Sequence, residues 1–477
     1  MEQKNLCFSI VFFLGVNLFA QYQISCQSGC EKKTQEQRYM QFAESFFRKK
    51  NIYQAAKYYQ QVLDYNSNNM KAKYGFGLCY FYMGEHDKVY GIFKKLTRLF
   101  PEQHMFHFVF AKTCKELGKI DEARVHYQEV IVLNPEYKKA YDNLGFIYFQ
   151  LGDYEKGHKT HNSVSKVQEQ GQKAFAQEPK FYNGHQDIRG KVVLVRDEGG
   201  FGDLFQWVRF VKQLKQKGAF VVFEARRRII PLLSNCPYID KLIPQKTNFT
   251  NFDYQIYSGG IWRVHNTTVE TIPNDVPYLY PDEMLVKKWE KVFSQDKNFK
   301  IGICWDPSKC GNPVTGKEFI NPRAISLSYF YELSKLKGVS LYCLQQRNGL
   351  EQLDTMPKDF EIYRFNNSFD KIHGGFSDTA AVMKNLDLVI TADTSIAHLA
   401  GALGVKVWVA LPIGADWRWM LDRSDSPWYP TMKLFRQESF KNWDPVFRDI
   451  ISDLQQLLQH KDKTRDNNFK SYFKSLF

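Results

Sequence analysis

A step of 34 residues recurs through the first third of the sequence, and it restricts the fold more tightly than any other feature. Gly84, Gly118 and Gly152 stand one step apart. Phe76, Phe110 and Leu144 share a column, as do Gly77, Ala111 and Gly145, and Tyr80, Cys114 and Tyr148. Ala55, Val89, Ala123 and Gly157 form another, next to Tyr59, Phe93 and Tyr127, and Pro101 and Pro135 close successive units. Small residues let two helices cross closely, and aromatics one turn away fill the groove between them. The glycine column suits a turn whose positive φ only glycine adopts cheaply. A helix pair of this size cannot bury its apolar face alone, so the units must stack into a solenoid with a concave surface. About three and a half units fit between residues 33 and 163.

The pattern resembles the tetratricopeptide repeat. That resemblance implies a protein partner on the concave face without saying which one. Ahead of the repeats, Leu6–Ala20 is an apolar run of signal-peptide length behind Lys4. Residues 1–20 are therefore expected to export or anchor the chain, with a cytoplasmic chain as the alternative. The polar stretch 164–190 reads as a linker.

From Lys191 the pattern changes to short β-branched runs alternating with helical stretches, which marks parallel sheets with crossover helices. Strands are expected at Val192–Arg196, Ala219–Ala225, Lys241–Pro244 and Tyr254–Ser258. A second set is expected at Lys300–Trp305, Ser340–Gln345, Glu361–Phe365, Leu386–Thr391 and Lys406–Leu411. Helices are expected at Leu204–Lys217, Asp282–Val292 and Pro445–His460. Residues 191–285 and 286–460 thus read as two Rossmann-like domains facing a cleft, with 461–477 as a polar tail. The fold class is α plus α/β, an α-solenoid followed by two Rossmann-like domains.

The net charge of +14 favours anionic ligands. Its densest cluster, Arg226-Arg227-Arg228, follows a strand, and no nucleic-acid module accompanies it, so no specific nucleic-acid partner is expected. Nine cysteines without a CxxC pair exclude a zinc framework and a disulfide scaffold. Cys79, Cys114, Cys304 and Cys343 should pack as small hydrophobes.

In open parallel sheets ligands bind beyond the carboxyl ends of strands. The first such loop, Asp197 to Asp203, contains Gly199, Gly200 and Gly202, which admit close backbone approach. Asp203 is either a helix cap or a general base. The second loop runs from Ala392 through Asp393, Thr394 and Ser395 into a helix whose free N–H groups make a diphosphate site. His398 is either a ligand to phosphate or ribose or a packed helix residue.

These loops, together with Ile301–Trp305, Arg323–Leu327, Asp416–Trp419, Ser426–Pro430 and Phe435–Gln437, resemble the heptosyltransferase group, glycosyltransferase family 9. The order of repeats before paired domains is also similar to that of O-GlcNAc transferase. The resemblance implies a GT-B fold, a nucleoside-diphosphate-sugar donor, no metal or other cofactor, and inversion at the anomeric carbon. It implies Asp203 as base, an acceptor near Gly199, Gly200 and Gly202, and donor-diphosphate binding by Asp393, Thr394, Ser395, His398, Arg323 and Lys309. The acceptor is a glycan, a lipid-linked sugar or a protein hydroxyl. Arg323 could equally be a surface ion pair, and Trp417 and Trp419 either stack on base or sugar or plug the space between domains. The alternative function is a non-catalytic interaction protein with a degenerate glycosyltransferase-like domain.

Overall fold

The computed structural model describes residues 34–161, 181–307 and 321–474, with side chains to residue 459. These residues fall into two compact units, one ending at Ile92 and one running over Phe93–Ser308 and Pro322–Phe477.

In the first unit, α1 (Gln35–Arg48), α2 (Ile52–Tyr65) and α3 (Met70–Tyr82) lead into α4 (His86–Leu99), within which the unit boundary falls. Thr34 opens α1 with a capping box: its hydroxyl accepts the Gln37 N–H, and Gln37 Oε1 accepts the Thr34 N–H. Ala43, Ala55, Tyr59, Val62, Ala72 and Cys79 form the core. The helices cross tightly, because a Cβ on Gly75 would lie 2.3 Å from the Tyr59 ring.

The second unit continues the repeats with α5 (His104–Glu116), α6 (Ile120–Leu133), α7 (Lys138–Gln150) and a helix over 154–161. The crossing rule recurs: a Cβ on Gly157 would lie 2.3 Å from the Phe149 ring. The 34-residue glycine column has φ values of 73°, 72° and 83° at Gly84, Gly118 and Gly152, as a helix-to-helix turn requires.

Two parallel sheets follow. The first has the order β3-β2-β1-β4, from β1 (Val192–Arg196), β2 (Phe220–Ala225), β3 (Lys241–Pro244) and β4 (Tyr254–Tyr257). The second has the order β6-β5-β7-β8-β9, from β5 (Phe299–Cys304), β6 (Val339–Cys343), β7 (Leu388–Ala392), β8 (Val407–Leu411) and β9 (Met432–Arg436). β1 and β7 are apolar runs because both of their faces are covered. This is the expected double Rossmann-like, GT-B arrangement. One core runs from Phe149 and Tyr154 of the repeats, through Val193 and Phe223 of the first sheet, to Val389 and Val407 of the second. The repeats are thereby part of the same packed body as the sheets in this unit.

Several expected elements differ. β9 was not expected, because Lys433 and Arg436 alternate with apolar residues along a half-buried edge strand. Glu361–Phe365 forms no strand and contributes only a bridge between Tyr342 and Tyr363. The helix expected at Leu204–Lys217 starts earlier, as α8 (Phe201–Trp207), and breaks into a 3-10 turn before a short helix at Val211–Gln216. The charged helix lies at Glu283–Phe293 (α9). The final helix runs over Asp444–Lys474, so the residues expected as a polar tail from 461 are helical through Lys474. The end of the expected linker is also ordered: the Tyr182 N–H donates to the Gln255 carbonyl at 2.9 Å, beside β4.

The helix after β7, α10 (Ser395–Ala402), presents the small residues Ala397, Ala400, Gly401 and Ala402, and it packs on Tyr429. A Cβ on Gly401 would lie 2.3 Å from that ring. Gly401→Ala is therefore expected to cost about 1–3 kcal/mol through overpacking. The check is a urea titration, where an unchanged midpoint would show that the ring yields freely.

The expected N-terminal export or anchoring segment needs correction. No helix among the described residues is long and apolar enough to cross a membrane. The run Leu6–Ala20 itself lies outside the described residues.

Candidate active site

The loop after β1 is shaped by its glycines and by one arginine. Gly199 has φ +76°, and a Cβ there would lie 2.6 Å from Asp203 Oδ2, so only glycine fits. Arg226, at the end of β2, grips the loop from outside. Its Nε and Nη2 donate to the two Asp197 carboxylate oxygens at 2.8 and 3.1 Å, and its Nη1 donates to the Gly199 carbonyl at 3.3 Å. The guanidinium also lies 4.0 Å from the Phe201 ring centroid. Burial pushes the Asp197 carboxyl up to about 6, against the pull of Arg226. The first arginine of the basic triplet is thus a brace for this loop.

Asp203 is not the cap of α8. Gly200 occupies the cap position and Asp203 is the third helical residue. Its Oδ2 reaches back to accept the Gly200 N–H at 2.7 Å. Its Oδ1 accepts from Arg418 Nη2, which arrives from the other half of the GT-B pair. Each carboxylate oxygen has two acceptor sites, so neither bond exhausts Asp203. Its side chain remains 34% exposed.

The loop after β7 ends in a capped helix. Thr394 is extended and its hydroxyl accepts the Ile396 N–H at 3.1 Å, while its carbonyl accepts the Ala397 N–H at 3.1 Å. Asp393 is buried, and burial raises its pKa, with Arg323 the nearest opposing charge. Arg323 Nη1 donates to the Asp393 carbonyl at 3.3 Å, so the structure brings this arginine to the donor loop. Ser395, the first helical residue, is half-buried. The starts of α8 and α10 meet: a Cβ on Gly202 would lie 2.9 Å from His398 Cδ2 and 3.6 Å from Ser395 Cα. Gly202 therefore serves helix contact rather than an acceptor.

Arg418 occupies the junction. Besides Asp203, it binds Asp416 through Nη1 at 3.0 Å and donates through Nε to Gln206. Its guanidinium lies 5.0 and 5.1 Å from the ring centroids of Trp207 and Trp417. Trp417 is buried within a run of parallel rings, 5.3 Å from Trp262 and 5.9 Å from Phe146 of α7. Trp419 is fully buried and stacks on His398 at 5.1 Å. Both tryptophans follow β8 rather than the last strand.

The open space at Asp203 has an unexpected wall. A cavity of about 510 Å³ is lined on one side by Glu198, Gly199, Asp203, Trp262 and Arg263. Asp416, Trp417 and Arg418 line a second side, and Lys112, Glu116, Asn143 and His161 of the repeats close the third. The expected direct crevice between Asp203 and the Thr394 helix start is replaced by close packing of α8 on α10, with the opening turned toward the repeats.

The expected residues therefore divide into three groups. Asp203, Gly199 and Gly200 stand at the cavity loop, and Asp393, Thr394, Ser395 and Arg323 are gathered at the α10 start. His398 and Trp419 are packed inside the seam: His398 is 6% exposed, its Nδ1 lies 2.8 Å from Tyr429 Oη, and burial holds its pKa well below the usual value. Trp417 is mainly a plug that lends an edge to the cavity. Lys309 lies outside the described residues. Arg418 and the repeat wall were missed, although Arg418 stands within the Asp416–Trp419 segment that carries the resemblance. Among the described residues, no group of three or more His, Cys, Asp or Glu side chains is placed to hold a metal ion. Cys304 and Cys343 are buried and unpaired, and burial pushes their thiols up to about 12 and about 11.

Comparison with known proteins agrees with the repeat assignment. A tetratricopeptide repeat model matches residues 111–152, and the model for subunit 3 of the anaphase-promoting complex, cyclosome, matches residues 48–130. The chain contains tetratricopeptide repeats. Protein FlbA of Caulobacter vibrioides is 21% identical over 411 residues, 74% of this chain and 67% of that protein. A glycosyl transferase family 9 structure from Veillonella parvula is 12% identical with a TM-score of 0.41, covering 58% of this chain and 99% of that one. The E. coli ADP-heptose lps heptosyltransferase II is 13% identical with a TM-score of 0.41, covering 57% and 99%. A MamA structure is 21% identical with a TM-score of 0.27, covering 28% and 73%.

Proposed function

We propose that this protein is an inverting glycosyltransferase that moves a sugar from a nucleoside-diphosphate sugar to an acceptor hydroxyl. The observation that carries this reading is Asp203. It is a carboxylate beyond the end of a parallel strand, fixed by a backbone N–H and an arginine, and still open to a cavity of about 510 Å³ beside a capped helix start.

The acceptor, a glycan, lipid-linked or protein hydroxyl, enters that cavity. Asp203 takes the hydroxyl proton as the oxygen attacks the anomeric carbon from the face opposite the diphosphate. The bond from that carbon to the diphosphate oxygen breaks, and the leaving group gains negative charge. The start of α10, with Thr394 and Ser395, and the Arg323 guanidinium lie behind the contact of α8 with α10 and outside the wall of the Asp203 cavity, so they receive that charge, without a metal ion, only where this contact parts to admit the donor. Sheet ends, a caught carboxylate and a helix start at one junction are what such a transfer needs.

The test incubates the purified protein with a panel of nucleoside-diphosphate sugars and candidate acceptors. Release of nucleoside diphosphate and a product of opposite anomeric configuration by NMR are expected. If no donor is consumed and no nucleoside diphosphate shifts thermal unfolding, the reading fails and a non-catalytic interaction protein takes its place.

A further inference from the structure

The repeats do more than stand beside the catalytic pair. The loop 413–418 after β8 is clamped on one side by repeat helices. A Cβ on Gly414 would lie 2.8 Å from both the Cα and the carbonyl oxygen of Glu116, and 2.9 Å from the Lys115 carbonyl oxygen, all of them backbone atoms of α5. A Cβ on Gly118, in the turn after α5, would lie 2.7 Å from Ile413 Cγ1. Gln150, at the end of α7, is buried and donates through Nε2 to the Ala415 carbonyl at 3.2 Å. Phe146 and Phe149 of α7 flank Trp417 at 5.9 and 5.2 Å.

On its other side the same loop presents Arg418. Its guanidinium is held by Asp416 and by Gln206, lies beside the Trp207 and Trp417 rings, and binds Asp203. A planar guanidinium gripped at several edges has one orientation, so it transmits the position of its loop to the carboxylate it binds. The links from α5 and α7 to Asp203 thus comprise close backbone approaches, ring contacts, a buried hydrogen bond and an ion pair.

We infer that Arg418 is a positioning residue for Asp203 and that the repeat helices α5 and α7 set its place through loop 413–418. The repeats are on this view a component of the catalytic centre rather than a separable recruiting arm. The inference rests on the proposed transferase reading. A displacement of a catalytic group by about 1 Å can cost on the order of 100-fold in rate, which sets the effect to look for.

The experiment compares Arg418→Ala, Gly414→Ala and Asp203→Asn in the full chain. Donor turnover, donor KM and thermal unfolding are measured for each. Arg418→Ala is expected to lose about 100-fold in kcat with donor KM unchanged, and millimolar guanidinium, entering by the cavity, is expected to restore about tenfold. A residue that merely held the fold together would show no such rescue. Gly414→Ala touches no substrate, yet is expected to lower kcat with donor KM unchanged, because the three atoms nearest its Cβ are backbone, which cannot turn aside as a side chain can. Wild-type kcat in Gly414→Ala removes the repeats from the catalytic centre. Wild-type kcat in Arg418→Ala, or loss without guanidinium rescue in a folded protein, removes Arg418. If Arg418→Ala does not fold, Gly414→Ala decides the matter alone. Wild-type kcat in Asp203→Asn removes Asp203 as the base, and the inference with it, whereas absence of donor turnover in the wild-type protein defeats the transferase reading itself.

Discussion

Asp203→Asn is expected to lower kcat by about 10²–10⁴-fold, the usual contribution of a general base whose proton transfer occurs in the transition state. The substitution keeps the shape of the side chain and removes its ability to take a proton. It also has a predictable structural cost. Asp203 accepts from both the Gly200 N–H and Arg418, whereas an asparagine has one acceptor oxygen. One of these donors must lose its partner, at about 1–3 kcal/mol if it stays buried. Turnover should therefore be read against nucleotide binding and thermal unfolding of the same sample. A large loss of kcat with nucleotide binding intact assigns the proton transfer to Asp203, and a full rate removes it from that role.

Arg209→Met is expected to destabilise the second unit by about 3–5 kcal/mol, because it strips the donors from several buried acceptors at about 1–3 kcal/mol each. Arg209 is 3% exposed, and its four hydrogen bonds among the described residues go to uncharged acceptors. Its Nε donates to the Gln206 carbonyl at 3.0 Å, its Nη1 to the Trp428 carbonyl at 2.6 Å and the Pro273 carbonyl at 3.2 Å, and its Nη2 to Tyr278 Oη at 2.6 Å. The guanidinium also lies 4.4 and 4.5 Å from the ring centroids of Tyr278 and Tyr429. It therefore ties the helical segment after β1 to the 428–429 segment of the other half. Methionine fills much of the volume but leaves those carbonyls buried without donors. Chemical denaturation of the full chain provides the check, and a variant within 1 kcal/mol of wild type would mean that water or local rearrangement satisfies these groups.

These residues also explain why the seam between the two sheets is closed where a crevice was expected. Small residues on α10 and Gly202 on α8 permit backbone approach, and His398, Trp419 and Tyr429 fill what remains. A histidine in such a place, with burial lowering its pKa well below the usual value, is a neutral packing group. The cavity at Asp203 opens instead on a side that the repeats line.

What the sequence determined by itself was whatever depends on neighbours along the chain. The 34-residue period, the left-handed glycines at its turns, the apolar strands β1, β5, β7 and β8, and the loops at their carboxyl ends all follow from local periodicity and backbone preference. So does the presence of a carboxylate among glycines at Asp203 and of a cap at Thr394. Tertiary structure alone decided which of these residues meet. Asp203 and Arg418 are 215 positions apart. Gln150 and Ala415 are 265 apart, and no periodicity links either pair. Whether His398 faces a ligand or a tryptophan, and whether the repeats touch the loop after β8, depend on how the packed faces fit. That fit is set by shape and burial summed over the whole core, a quantity that no short window of sequence contains.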